Sequence, residues 1–244
     1  MPFPYSPRYH WKADTLGLAN GANVASWPDS SGNGHNLAPP GTAPTYVAPG
    51  LNGMGVVRFN GSTQQLDTAD SPAAAAYEMI AVVIPRGLPS VRPAAIGIQQ
   101  TGGGWANSIR ITLTPKWESY WYDGGIISCP STTAPVVGTG VIVGASAQGG
   151  GTAQVWINGT SENSVAVGSL WTGGTAFSLG NIQNSDPNPQ WAQVDIAEFL
   201  LWTSVLAAAD RTDVVNTLNT KWFVAPPATA IRPAMQQYAR RRNG

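Results

Sequence analysis

Residues 27–37, WPDSSGNGHNL, gather Asp29, Ser30, Ser31, Asn33, His35 and Asn36 around two glycines. An oxygen-rich loop of this kind suits calcium, which takes about six to eight oxygen ligands. Asp29 and Asn33 are the side chains whose oxygens would serve, so Ca2+ is the one metal cofactor the sequence brings forward. The stretch nevertheless supplies a single carboxylate. His35 is a poor calcium ligand, with no local His, Cys or Glu to complete a zinc site. Asx side chains bonding nearby amides, with glycines at positive φ, explain the same residues as a turn. The expectation is a turn.

A second cluster suits sugar recognition, where aromatic faces stack on pyranose rings and polar side chains bond hydroxyls. Residues 117–125, WESYWYDGG, carry Trp117, Tyr120, Trp121, Tyr122 and Asp123, and the polar loop SDPNPQW ends in Trp191. Strand alternation would bury about half of the first set, so the sandwich core competes for the same rings. Material for nucleophilic or acid–base catalysis is scarce. His10 and His35 are the chain's two histidines, no Ser-His-Asp order or nucleophile elbow occurs, and Cys129 sits beside Pro130 as an inert thiol.

Whatever these residues do, short strands must position them. GVVRFNG (55–61) is apolar and β-branched and halts at an Asn-Gly turn. EMIAVVIP (78–85) is a continuous apolar run ended by proline, as expected of a strand buried on both faces. In NSIRITL (107–113), Ile109, Ile111 and Leu113 alternate with Arg110 and Thr112. GVIVGASA (140–147) and AQVWING (153–159) read as a hairpin, and TAFSLGN (175–181) and QVDIAEFLLW (193–202) complete the series. One segment reads as helix: in 206–223, Val214, Val215, Leu218 and Trp222 share a face, and Pro226 and Pro227 stop it. With 28 glycines and 20 prolines as punctuation, many strands plus one late helix predict an all-β, two-sheet antiparallel sandwich. A length of 244 residues is compatible with one such unit. The lone cysteine excludes an internal disulfide, and a net charge of zero argues against nucleic acid as a partner. No run approaches a membrane span, and the N-terminus shows no basic head followed by an apolar stretch, so neither membrane insertion nor a signal peptide is read.

The ordered set WKADTLGLANGANVASWPDSSGNGHNL, APTYV, NGMGVVRFNGSTQQL, VWINGT and VDIAEFLLW followed by LAAADRTDVVNTLNTKW resembles the laminin-G-like, concanavalin A-like jelly-roll domains. These occur in bacterial surface proteins and in bacteriophage virion proteins. The resemblance runs from about Trp11 to Phe223 and implies a jelly-roll sandwich with one short C-terminal helix. It places the 27–37 loop after the first strand. The fold hosts lectins, glucanases and structural modules, so it leaves function open. QVDIAE (193–198) is similar to the Glu-x-Asp-x-x-Glu signature of laminarinase-type glucanases on this fold. There the first Glu is the nucleophile, the Asp tunes it and the last Glu is the general acid/base. Retaining hydrolysis needs two carboxyl groups about 5–5.5 Å apart. Here Asp195 and Glu198 are present, but the nucleophile position is Gln193, an amide. The motif also falls on the last strand. A structural role for both acids is expected, and no enzyme.

The domain boundaries read as an N-terminal arm (1–10), the sandwich (11–224) and a C-terminal basic arm (225–244). Arg232, Tyr238, Arg240, Arg241 and Arg242 in the latter are candidate assembly contacts. A surface-type fold with no export signal and no disulfide fits a tailed-phage virion protein, made in the host cytoplasm and exposed on the particle. The expected function is a non-enzymatic tail or head decoration protein that contacts host glycans. Its partners would be other virion proteins and further copies of itself. The alternative is a carbohydrate-binding surface module of a bacterial protein; a glycoside hydrolase ranks below both.

Overall fold

The computed structural model describes residues 6–70, 74–101, 104–122, 125–170, 172, 176–181 and 189–224. Its strands are β1 (Tyr9–Lys12), β2 (Thr45–Val47), β3 (Val56–Asn60), β4 (Leu66–Thr68), β5 (Ala76–Pro85), β6 (Ala94–Thr101) and β7 (Gly104–Ile111). They continue as β8 (Trp117–Tyr122), β9 (Ile126–Pro130), β10 (Val141–Gln148), β11 (Thr152–Ile157), β12 (Thr160–Ala166), β13 (Ala176–Leu179) and β14 (Gln193–Trp202), and helix α1 (Ala208–Trp222) closes the series.

Two antiparallel sheets stack face to face. One has eight strands in the order β12-β11-β10-β5-β14-β3-β2, with β1 also paired to β14; the other runs β4-β13-β6-β7-β8-β9. Alternate side chains of both sheets meet between them: Trp11, Phe59, Met79, Val83, Ile96, Ile109, Trp117, Trp121, Phe177 and Phe199 are among the buried core. The sandwich expected from the strand pattern is the architecture found. Each expected strand is present, β5 is buried almost throughout, and β10 and β11 form the hairpin. One detail differs: β7 ends at Ile111, and Leu113 is exposed beyond it, because the turn at 112–116 takes the chain out of the sheet.

The eight-stranded sheet is buried on its second face too. There α1 sets Val214, Leu218 and Trp222 on Val56, Ile80, Val82, Ile142, Leu200 and Trp202. This explains why β5 and β14 carry apolar runs rather than alternation. Among the described residues, no helix is long and apolar enough to cross a membrane.

Strand β14 organises the sheet. One edge pairs with β5; the other pairs first with β3, through Gln193–Ile196, and then with β1, through Glu198–Leu201. The register shifts between Ile196 and Glu198, a β-bulge at the point where the partner changes.

Candidate functional site

The 27–37 loop is tied down by its own donors. Asp29 accepts from the backbone amides of His10 (3.1 Å), Ser31 (2.9 Å) and His35 (3.1 Å) and from the Ser31 hydroxyl (2.6 Å). Burial pushes the Asp29 carboxyl up, but these hydrogen bonds outweigh it and hold the pKa below the usual carboxylate value. Asn33 Nδ2 donates to the carbonyls of Pro7 and Arg8, so the loop clamps the start of β1. Gly32 and Gly34 take φ of 90° and 79°, the left-handed region a side chain disfavours. A cation at Asp29 would face amide hydrogens. Among the described residues no group of three or more His, Cys, Asp or Glu converges on a common point.

The 117–125 cluster lies inside. Trp117 and Trp121 belong to the core between the sheets, the latter stacked on Tyr77 with ring centroids 6.2 Å apart. Tyr120 points to the other face and is covered too: the Arg110 guanidinium lies 3.6 Å over its ring. Arg110 is in turn paired with Glu118, which accepts a bond from Ser128. None of the three rings therefore presents a face to solvent, which corrects the expected stacking platform. Alternation put two rings in the core, and a cross-strand arginine shields the third. The Tyr122 side chain and Asp123 lie outside the described residues, as do Arg232, Tyr238, Arg240, Arg241 and Arg242. Cys129 is fully buried, and desolvation followed by the charge of Glu118 pushes its thiol up to about 11.

The two acids of QVDIAE are locks. Glu198 is 2% exposed; its Oε1 lies 2.6 Å from His10 Nε2, and its Oε2 accepts from Lys221 Nζ and Trp222 Nε1, each at 2.7 Å. Lys221 also reaches Asp14 at 2.9 Å, so the cluster joins β1, β14 and α1. Burial raises the Glu198 pKa, but His10 and Lys221 outweigh it and leave it below the ordinary value. Asp195, 1% exposed, receives both Nε (2.7 Å) and Nη2 (2.8 Å) of Arg58, with Arg86 Nε 3.5 Å away. Every oxygen of both carboxylates is engaged.

A concave surface lies at the end of the sandwich where β14 begins. Two adjoining clefts, of about 410 Å³ and about 470 Å³, share Gln193. The first is lined by Trp191, Gly61, Gly87 and the 87–92 loop, the second by Arg58, Asn60, Gln64, Arg86 and Val137. These volumes are of the size that holds small ligands. Five separate chain segments build this end, around Thr45, 58–64, 86–94, Val137 and 189–193. The amides of Arg86 and Gly87 both donate to the Gln193 carbonyl, and Gln64 accepts from the Asn60 amide while donating to the Ala43 carbonyl. A Cβ on Gly87 would stand 2.0 Å from Gln193 Oε1, and one on Gly61 2.8 Å from Gln193 Cβ. Glycine at both positions lets the glutamine form the floor between the clefts. Trp191 is half-buried. Leu88 and Val91 are exposed apolar residues on the rim of the first cleft, as Val137 is on that of the second. Among the described lining residues of the two clefts there is no carboxylate. Of the sequence candidates, Trp191 belongs here. Arg58, Arg86, Arg92 and Gln193 went unnoticed as a group because only the fold brings them together.

No family model matches the chain, and no curated protein matches its sequence. Solved structures do match its fold. The binding domain of Paraclostridial Mosquitocidal Protein 1 superposes with a TM-score of 0.63 at 12% identity, over 84% of this chain and 52% of that one. Botulinum neurotoxin type C, whose cell entry depends upon interaction with two ganglioside molecules, gives 0.63 at 11% identity, over 87% and 51%. Domain 4 of AbnA, a GH43 extracellular arabinanase from Geobacillus stearothermophilus solved in complex with arabinotriose, gives 0.56 at 17% identity, over 86% and 98%. The chain thus spans about half the length of the two toxin structures and nearly all of the arabinanase domain. At these identities the likeness is one of fold.

Proposed function

We propose that this chain is a non-catalytic carbohydrate-binding module, and that the paired clefts around Gln193 are its glycan site. The observation that carries the reading is the meeting of Trp191, a half-buried aromatic, with the amide of Gln193 at a two-cleft surface rimmed by exposed Leu88, Val91 and Val137. Aromatic faces and amide groups are what sugar rings and hydroxyls pair with, and exposed apolar residues gathered at one place mark a binding surface. Two observations add support. Neighbours of the same fold include a domain bound to arabinotriose and a toxin that engages gangliosides. The two acids a hydrolase would use are buried and paired with cations. The test is a glycan array followed by calorimetry on each hit, with wild type and Trp191→Ala. Loss of binding with unchanged thermal unfolding supports the site; undiminished binding by the variant refutes it.

A second reading adds assembly: display of this module on a bacteriophage particle, with residues 225–244 and the part of the 1–10 segment that precedes Tyr9 as arms that fasten the sandwich to capsid or tail proteins or to further copies; Tyr9 and His10, read from the sequence as arm, belong to β1. It draws on the sequence, where a proline-rich start and a basic end flank the domain, and on a core complete without any disulfide, which needs no oxidising compartment. Co-sedimentation with particles, lost on removal of residues 225–244, supports it; sedimentation free of particles by the full chain refutes it.

A further inference from the structure

We infer that the clefts select saccharides bearing a carboxylate, with Arg86 as the residue that reads the charge; this rests on the glycan-binding reading above. The chain as a whole is neutral and poor in charged residues. The second cleft nevertheless sets two guanidiniums, Arg58 and Arg86, over a single carboxylate, Asp195. Asp195 is 1% exposed and gives both oxygens to Arg58 in a two-pronged pair, so it is covered and its charge is balanced there. Arg86 touches it only through Nε at 3.5 Å and has more than a third of its side chain in solvent. The wall of the cleft therefore carries an excess of one positive charge on a side chain with both terminal nitrogens available. No lining carboxylate competes for it among the described residues.

A planar guanidinium fork matches a carboxylate in two parallel hydrogen bonds, and one excess charge matches a monoanion. Gln193 lies between the clefts, where its amide offers a donor and an acceptor to ring hydroxyls, and Trp191 lies on the far side, in the first cleft. The arrangement fits an oligosaccharide of uronic acid units, with one ring against Trp191 and the carboxylate of a neighbouring ring on Arg86. Arg58 is a positioning residue: it holds Asp195 so that Arg86 remains directed at the cleft.

The experiment uses the full chain and three probes, trigalacturonic acid, its methyl ester and neutral galactotriose, measured by calorimetry at low and high salt. The acid is expected to bind about tenfold or more tighter than the ester or the neutral trimer, the usual worth of one charge-assisted pair. Its advantage should shrink at about 0.5 M NaCl. Arg86→Gln should bring the acid down to the level of the neutral probes, and Arg86→Lys should keep part of the preference, with thermal unfolding confirming that each variant folds. Equal binding of acid and ester, an acid preference that survives Arg86→Gln, or no binding of the acid at all would overturn charge selection. The glycan-binding reading falls separately, on the Trp191→Ala comparison: if that variant loses binding to all three equally bound probes, only the charge selection is wrong.

Discussion

Replacement of Glu198 by glutamine separates a structural acid from a catalytic one. In the native protein Glu198 takes charge-assisted bonds from Lys221 and lies 2.6 Å from His10, with Trp222 Nε1 as a third donor, all at 2% exposure. Glutamine preserves the shape. Turned with its oxygen to Lys221 and Trp222, it keeps both donors and sets its NH2 against His10 Nε2, which can accept in one tautomer. What disappears is the charge. Hydrogen bonds to charged groups contribute about 1.5–3 kcal/mol against about 0.5–1.5 for neutral ones, so the loss is about 1 kcal/mol for each of two contacts. Lys221 retains Asp14, which limits the damage. A total of about 2 kcal/mol lowers the Tm of a chain this size by roughly 4–8 °C. Glu198→Ala removes the acceptor altogether, leaves Lys221 and the indole unpaired, and should cost about 3–5 kcal/mol. Thermal unfolding by circular dichroism at neutral pH measures both, alongside a reducing-sugar assay on β-glucan. A Glu198→Gln Tm within about 1 °C of wild type would refute the lock. Wild-type β-glucan turnover that the variant lacks would refute the non-catalytic reading itself.

Four further outcomes follow. Because Glu198 has a lowered pKa in the folded state, its stabilisation is present above its unfolded value and is lost as pH falls through the folded one; the stability gap between wild type and Glu198→Gln should narrow as pH falls below the ordinary Glu value of about 4.3 in urea titrations. Gly55→Ala should destabilise by about 1–3 kcal/mol, since its Cβ would meet the rigid Tyr46 ring at 1.9–2.5 Å, whereas Gly87→Ala only displaces the flexible end of Gln193 and should cost less in Tm while weakening glycan binding. Cys129, buried and pushed up to about 11, should resist a thiol reagent at pH 8 in native buffer and react at once in denaturant. Chelation with EDTA should leave the Tm unchanged, and Asp29→Ala should destabilise the fold by about 1–3 kcal/mol, because three amides and a hydroxyl lose their acceptor.

The sandwich was legible because its signals are local. Apolar runs marked β3, β5, β10, β11 and β14, three of them halted by Asn-Gly or proline, and the spacing of Val214, Leu218 and Trp222 marked the buried face of α1. Strands β2, β4, β6, β9 and β12 were not marked; β2 and β4 are three residues long, β9 and β12 are half-exposed, and β6 dilutes its apolar residues with Ala, Gly and Gln. The site was legible only at Trp191. Arg58, Arg86 and Gln193 come from different segments, and nothing within any of those segments announces the others. The 117–125 aromatics misled for a related reason: the ring that alternation turns outward, Tyr120, is covered by Arg110 from the neighbouring strand.

The bulge in β14 decides what QVDIAE can do. In a regular strand Asp195 and Glu198, three residues apart, would face opposite sides. The extra residue at Ala197 restores parity: Val194, Ile196, Phe199 and Leu201 point into the space between the sheets, while Ala197, Leu200 and Trp202 point to α1. Glu198 joins this second set and meets Lys221 and Trp222 of the helix, and Asp195 meets Arg58 at its cross-strand position on β3. A retaining hydrolase needs two carboxyl groups turned toward bound sugar, one of them free to attack. Of the three polar side chains in the motif, Gln193 lines the clefts, and an amide there can bond a sugar hydroxyl but cannot form a glycosyl ester. The same strand that would carry catalysis is thereby divided, its first residue lining the clefts and its acids holding β1, β3 and α1 in place.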